Sequence, residues 1–258
     1  MEITTDNKNL VDRLFAAGSH FGLSKSRRHP TMVKYLFGTK QGSDIINLEI
    51  TADLLEAAKT VLNEAGKNSQ TVLLVGTKAE AVKLVTDAAA KAEVPYVANR
   101  WVGGTLTNLP EIKKRIERLK TLIGQGESGE LEDKYTKKER VLIGRELDKL
   151  NFNFNGIKDL NQTPALLVVV DPKHDSIAVE EAEKMKIPIV GIMNSDCNAQ
   201  SVTHPIIVND SLTNSIYLIL NELTDALIKG REEAAVIKSN KENKSSNNER
   251  TTLEENNG

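Results

Sequence analysis

Cysteine is almost missing from this chain of 258 residues: Cys197 stands alone. One thiol cannot close an internal disulfide, which fits a reducing cytosolic compartment. One cysteine and four histidines also exclude a Cys-based zinc finger. No apolar run reaches the roughly 20 residues that a bilayer crossing needs, so no membrane helix is expected. The first residues, Met1 to Val11, carry Glu2 and Asp6 and lack an apolar core. Neither a secretory signal nor an Arg-rich transit peptide is expected there. Charge of one sign is missing too, since 34 basic and 36 acidic residues leave a net charge of −2. By that total alone the chain would not bind nucleic acid. What is present is ordinary for a globular protein: 39% hydrophobic and 27% charged residues. The length allows one large domain, or one domain with an insertion.

Charge by segment changes the picture. Residues 1–40 hold seven Lys/Arg against three acids. Between 20 and 40, Lys25, Arg27, Arg28, Lys34 and Lys40 stand with no acid at all. Residues 100–126 hold six basic residues against two acids, whereas 150–230 hold five against ten. Such blocks suggest one surface that meets a polyanion and another that does not. The bland reading is a pair of solvated basic loops.

Periodicity gives an architecture. Leu10, Leu14 and Ala17 place a short helix over 8–17, and Gly18 and Gly22 bracket the next loop. Residues 43–48 (SDIINL) read as a strand. Residues 51–65 form an amphipathic helix, with Gly66 as its stop. TVLLV (71–75) is apolar throughout, as for a strand buried on both faces. Gly76 ends it, and Thr77 with Glu80 suggests a capping box for a helix over 78–91. Strands follow at 94–98, 165–170 and 188–192, with an edge strand at 205–208. Helices are expected over 175–186 and 211–229, the second closing at Gly230. Strands alternating with helices imply an α/β fold, a flavodoxin-like or Rossmann-like parallel sheet with helices on both faces.

The connection from about 100 to 163 is too long for an ordinary crossover. Within it Leu109, Ile112, Ile116, Leu119 and Ile123 follow a coiled-coil spacing, and Ile143, Leu147, Leu150 and Phe154 repeat it. GQGESGE (124–130) can reverse the chain, and Thr136 with Glu139 supplies a second capping box. An inserted antiparallel helical hairpin is therefore expected over 107–155. It would split the α/β domain into 41–106 and 156–230, behind an N-terminal helix and basic loop over 1–40. Residues 231–258 are rich in Lys, Glu, Asn and Ser, and disorder is expected.

Four places carry candidate chemistry. VGTK (75–78) is a strand-to-helix turn of the kind that binds phosphate, but it carries neither the Walker nor the G-x-G-x-x-G pattern. DPKHD (171–175) lies where doubly wound folds place ligands, and Asp171, His174 and Asp175 suit acid–base work. Pro172 equally favours a plain turn, with Asp175 capping the next helix. His20, Asp196 and Asp210 would make a small metal site if the loops converge, although a structural role fits them as well. NRWVGGTLTN (99–108) holds the only Trp. Arg100 and Trp101 suit pairing or stacking with nucleic acid, or Trp101 packs the insertion onto the domain. A phosphate-binding enzyme using Gly76, Lys78 and Asp171, and a coiled-coil adaptor that binds protein alone, both remain open.

LFAAGSHFG (14–22), RRHPTMVKYLFGTKQGSDIINLE (27–49), NRWVGGTLTN (99–108) and PALLVVVDPKHDSIAVEEAEKMKIPIVGI (164–192) occur in that order. Together they resemble the bacterial type of the small-subunit ribosomal protein two family, from about residue 10 to 228. The resemblance implies a flavodoxin-like domain with a coiled-coil arm, no enzymatic activity, no cofactor, no membrane and no small-molecule substrate. It implies a cytoplasmic place on the small ribosomal subunit, contact with its rRNA and neighbouring proteins, and help in recruiting ribosomal protein one near the mRNA exit. The motif positions are Gly18, His20, Phe21, Gly22, Gly103, Gly104, Thr105, Asn108, Asp171 and Pro172. The rRNA would meet Lys25, Arg27, Arg28, Lys34, Tyr35 and Lys40, then Arg100 and Trp101, with Lys113, Lys114, Arg115 and Arg118 as a second site. Arg28-His29 stand where the family often has Trp-Asn. Asn198-Ala199 follow Cys197 where a proline is usual, and Ser211 and Asn214 replace charged residues.

Overall fold

The fold is that of a computed structural model, which describes residues 5–129, 131 and 134–255, with side chains described over 9–236 of these. The readings of Met1 to Thr4, of Glu130 in the reversing turn and of the last three residues lie outside the described residues.

Two sheets are present where the sequence suggests one. The larger holds β4 (Val72–Val75), β5 (Tyr96–Val97), β6 (Leu166–Val170), β7 (Ile189–Met193) and β8 (His204–Ile207) in the order β5-β4-β6-β7-β8, all parallel. Counted along the sheet's own strands this is the 2-1-3-4-5 order of flavodoxin-like folds. The apolar runs are explained by burial on both faces. Val72, Leu74, Val168 and Val190 face one core with α1 (Thr5–Ala16), α2 (Leu48–Lys67), α3 (Ala79–Ala92) and α7 (Thr213–Glu255). Leu73, Val75, Leu167 and Val169 face a second core with α4 (Leu109–Glu127), α5 (Lys137–Phe154) and α6 (Ser176–Lys184).

The smaller sheet is antiparallel, in the order β1-β3-β2, from β1 (Phe21–Ser24), β2 (Leu36–Lys40) and β3 (Ser43–Ile46). The strand read at 43–48 is therefore β3, and it lies outside the parallel sheet. Its two partners fall in stretches where the sequence predicts loop. Gln41 and Gly42 both have positive φ, so a two-residue hairpin turn joins β2 to β3.

Glycine misleads as a stop signal here. α2 continues through Gly66, and α7 continues through Gly230 to Glu255. A Cβ on Gly66 would run into Leu227 O, and one on Gly230 into Asn63 O. Both glycines let the two helices cross closely. Of the segment expected to be disordered, residues 231–255 continue α7. The first turn of this continuation is tied by Arg231, which donates to Ala92 O, and by Lys67 and Glu233 at 2.9 Å.

Within the insertion, α4 and α5 pack through Ile112, Ile116, Leu119, Leu150 and Phe154, with Ile143 and Leu147 partly buried beside them. Leu122 is fully buried while Ile123 is 37% exposed, so the seam passes through 122 rather than 123. Thr136 N–H donates to Glu139 Oε2 at 2.9 Å, the back half of the expected capping box. Gly124, Gly126 and Gly129 have the spacing of a dinucleotide loop, but the first two lie inside α4 and no strand precedes them.

Candidate nucleic-acid interface

The basic stretch begins at β1 and ends at β2. Lys25 N–H donates to Gly42 O at 2.9 Å, and His29 N–H donates to Ser195 O at 2.8 Å. Ser195 Oγ accepts from Leu23 N–H at 3.0 Å, so one buried serine at the end of β7 clamps both sides of the basic turn. Ala199 N–H donates to Thr31 Oγ1, and Asn198 Oδ1 accepts from the Thr31 hydroxyl at 3.4 Å, so the departing residues after Cys197 help to hold this loop. On that frame Lys25, Arg27, Lys34 and Lys40 are exposed, and none forms an ion pair among the described residues. Lys34 Nζ sits 4.8 Å above the half-buried Tyr35 ring.

Arg28 does not join them. It turns inward to Asp44, with Nε 3.5 Å from Oδ2, and Asp44 is fully buried. The acid-free stretch needs Arg28 to neutralise the carboxylate beneath it.

Trp101 is no stacking platform either: it is 6% exposed. Its Nε1–H donates to Glu181 Oε1 at 3.1 Å. The same carboxylate accepts from Gly104 N–H at 2.8 Å, Leu106 N–H at 3.0 Å, and the N–H and Oγ1–H of Thr107, each at 3.2 Å. Burial opposes the charge, yet these bonds outweigh it and hold Glu181 below the ordinary glutamate value. Gly104, with φ +91°, makes the turn that aims the N–H groups at one point. Thr105 is buried and bonds Val102 O, and Asn108 N–H donates to Gly104 O at 2.8 Å. Nothing at position 181 marks it in the sequence, because its partners lie 74 to 80 residues away. Arg100 stays exposed beside Phe152 and His174.

The second basic block is largely self-paired. Lys114 and Arg115 contact Glu111 at 3.2 and 3.7 Å, and Arg118 crosses to Glu146 on α5 through Nε and Nη2 at 3.2 and 3.1 Å. Lys113 is half-buried and makes no ion pair among the described residues. This face offers less free charge than its composition suggests.

The crevice between β4 and β6 is where the strand order reverses, the usual ligand position in such sheets. Here the protein fills it with its own groups. Thr77 N–H and Oγ1–H donate to Asp175 at 3.0 and 2.7 Å, so neither caps α3, and Asp175 caps no backbone of α6. Lys78 Nζ lies 3.1 Å from Asp171 Oδ2 and 3.3 Å from Asp210 Oδ1. Burial works against its charge, but the two carboxylates prevail and raise the lysine. A phosphate would have to displace both acids, so the enzyme reading loses its lysine. Asp171 itself takes the left-handed conformation, with φ +59°, and accepts from His174 N–H at 3.1 Å; Pro172 is buried with its ring toward Gly191.

His20, Asp196 and Asp210 are not brought together. The His20 ring stacks on Phe15 and lies tilted against Phe21, with centroids 4.4 and 4.0 Å away, and its buried Nδ1 has no hydrogen-bond partner among the described residues. Burial lowers its pKa. Asp196 pairs with Lys173 at 2.8 Å. The acid cluster that does form is Asp171, Cys197 and Asp210, and the Lys78 ammonium already supplies its cation. Burial and the surrounding carboxylates push the Cys197 thiol well up, so it stays protonated. Gly18, with φ +73°, and Gly22, packed against Asp44, shape the loop around His20. Gly103 is open to solvent.

A family model described as "Ribosomal protein S2" matches residues 14–230. The chain is similar to "Small ribosomal subunit protein uS2" of Coprothermobacter proteolyticus, 39% identical over 223 residues, 86% of this chain and 82% of that one. It is 40% identical over 218 residues to the protein of the same name from Picosynechococcus sp., 84% of this chain and 85% of that one. To "Small ribosomal subunit protein uS2c" of Rhodomonas salina it is 42% identical over 217 residues, 84% of this chain and 89% of that one.

Proposed function

The chain belongs to the ribosomal protein S2 family, a structural and non-enzymatic family, and from that premise we propose how it holds its place on the small ribosomal subunit. It is a ribosome-bound component in the cytoplasm, and it serves translation as structure. Its rRNA contact is the turn and hairpin that carry Lys25, Arg27, Lys34 and Lys40. The observation behind this reading is that these four cations are exposed and form no ion pair among the described residues, over a stretch with no acid. Free cations of this kind gain most from phosphate, since no internal pair is broken. Arg100 extends the same reading, whereas the paired Lys114, Arg115 and Arg118 contribute little.

The helices α4 and α5 act as a coiled-coil arm over 107–155 that meets protein neighbours. Val141 and Leu142, large apolar residues exposed on α5, support a protein surface there. Recruitment of ribosomal protein one near the mRNA exit is the corresponding partner reading, and it rests on the family resemblance.

Sedimentation of lysate through a sucrose gradient tests the rRNA contact. The chain is expected to co-migrate with the small subunit and to leave it as salt rises. The variant K25E/R27E/K34E should move to the free-protein fractions at lower salt while its circular dichroism is unchanged. Undiminished incorporation of that variant would contradict the proposal.

A further inference from the structure

Phe37 is the most exposed large apolar side chain among the described residues, at 82%. A ring of that size in water is costly to leave bare without a partner. Its exposure is built into the backbone. Leu36 pairs with Ile46 and Gly38 with Ile45, so two residues of β2 advance against one of β3. Phe37 is the extra residue of a β-bulge, a device that re-aims a side chain out of the alternation. Beside it, a Cβ on Gly38 would meet nothing within 4 Å, so the surface next to the ring is open.

The charge around this ring is one-sided. Lys34 precedes it by three residues and Lys40 follows by three, and Lys25 is held to the hairpin turn through Gly42 O at 2.9 Å. All three are exposed without ion pairs among the described residues. The one acid of the hairpin, Asp44, is buried against Arg28 and offers no negative surface. A protein partner would need an acidic apolar patch to fit. An unpaired nucleotide brings both features at once, a π-face and a phosphate.

We propose that Phe37 is a stacking platform for an unpaired RNA base, with Lys34 and Lys40 on the flanking phosphates. The inference rests on the rRNA-binding reading above and adds a single-stranded element to what is bound.

The test measures affinity of the full chain for a fluorescent single-stranded RNA and for a duplex RNA of equal length, across a salt series. F37A should weaken single-strand binding roughly five- to hundred-fold and duplex binding far less. Its salt slope should match the parent's, because no phosphate contact is lost. F37W should restore affinity and F37L should not, which separates stacking from simple bulk. K34A/K40A should weaken both RNAs and flatten the salt slope. If K34A/K40A has that effect and F37A does nothing, the stacking inference falls and the rRNA reading stands. If neither variant changes RNA binding, both fall. If F37A leaves RNA binding intact but releases the chain from another small-subunit protein, the ring serves a protein and the inference is overturned.

Discussion

The indole N–H of Trp101 donates to Glu181 Oε1 at 3.1 Å, from the turn before α4 to a helix on the same face of the sheet. This bond makes the lone Trp an anchor for the insertion. Three backbone N–H groups and a hydroxyl converge on the same carboxylate. Removing the acceptor leaves these donors buried with nothing to bond, at about 1–3 kcal/mol each before relaxation. Glu181→Ala should therefore lower the unfolding free energy by about 3 kcal/mol or more in guanidinium titration. Glu181→Gln should cost less, since one acceptor oxygen survives. The folded-state pKa of Glu181 lies below its ordinary 4.5. The unfolded chain thus takes up the proton first, and this contribution is full above pH 4.5 and drains away as pH falls below it. The gap between parent and Glu181→Gln should narrow in that acid range. A gap that stays constant down to pH 3 would sink the account.

Arg28 is read from the sequence as an RNA contact, yet it is bound to the buried Asp44 with 3.5 Å between Nε and Oδ2. Breaking one side of a buried pair costs about 3–5 kcal/mol, because the other charge is stranded. Arg28→Ala should destabilise the chain by about that amount. Asp44→Asn on the same background should recover most of it, while Asp44→Asn alone weakens RNA binding little. The check is a double-mutant cycle in chemical denaturation, with fluorescence anisotropy on RNA beside it.

The parallel sheet was legible because its signal is local. A strand buried on both faces must be apolar at every position, and VLLV (72–75) and LLVVV (166–170) are. The hairpin of β2 and β3 was half lost because a bulge at Phe37 breaks the alternation that marks a strand. Exposed cations were legible as charge, but their pairing was not: Arg28 and Arg118 find acids that only the fold brings near. Glu181 was invisible for the same reason.

Glycine shows the same limit in a form that can be measured. At Gly230 a Cβ would collide with the Asn63 carbonyl across the α2–α7 crossing. At Gly144, in α5, a Cβ would meet nothing within 4 Å. Overpacking at a tight contact costs about 1–3 kcal/mol, whereas Gly→Ala in an open helix gains about 0.5–1 kcal/mol. Gly230→Ala should lower the thermal midpoint and Gly144→Ala should raise it. Equal shifts of one sign would mean that the glycines act through helix propensity alone.

Lys78 bridges two neighbouring carboxylates at the reversal point of the sheet, 3.1 Å from Asp171 and 3.3 Å from Asp210. Burial and the nearby Asp171 already raise Asp210, while Lys78 works against that and helps to keep Asp171 below its ordinary value. Lys78→Met removes the cation and leaves two buried acids facing each other. One of them must then take up a proton to relieve the repulsion. At neutral pH the variant should lose about 3 kcal/mol. A carboxylate whose folded pKa is raised above its unfolded value destabilises the fold when charged, and that penalty lifts as pH falls through the folded value. The deficit of Lys78→Met should accordingly be smaller at pH 5 than at pH 7.5, and Lys78→Met/Asp210→Asn should remove most of it at both. Guanidinium titrations at the two pH values decide this. A deficit equal at the two pH values, and left in place by Asp210→Asn, would show that the lysine contributes through packing of its stem, and that the charge at the crevice is incidental.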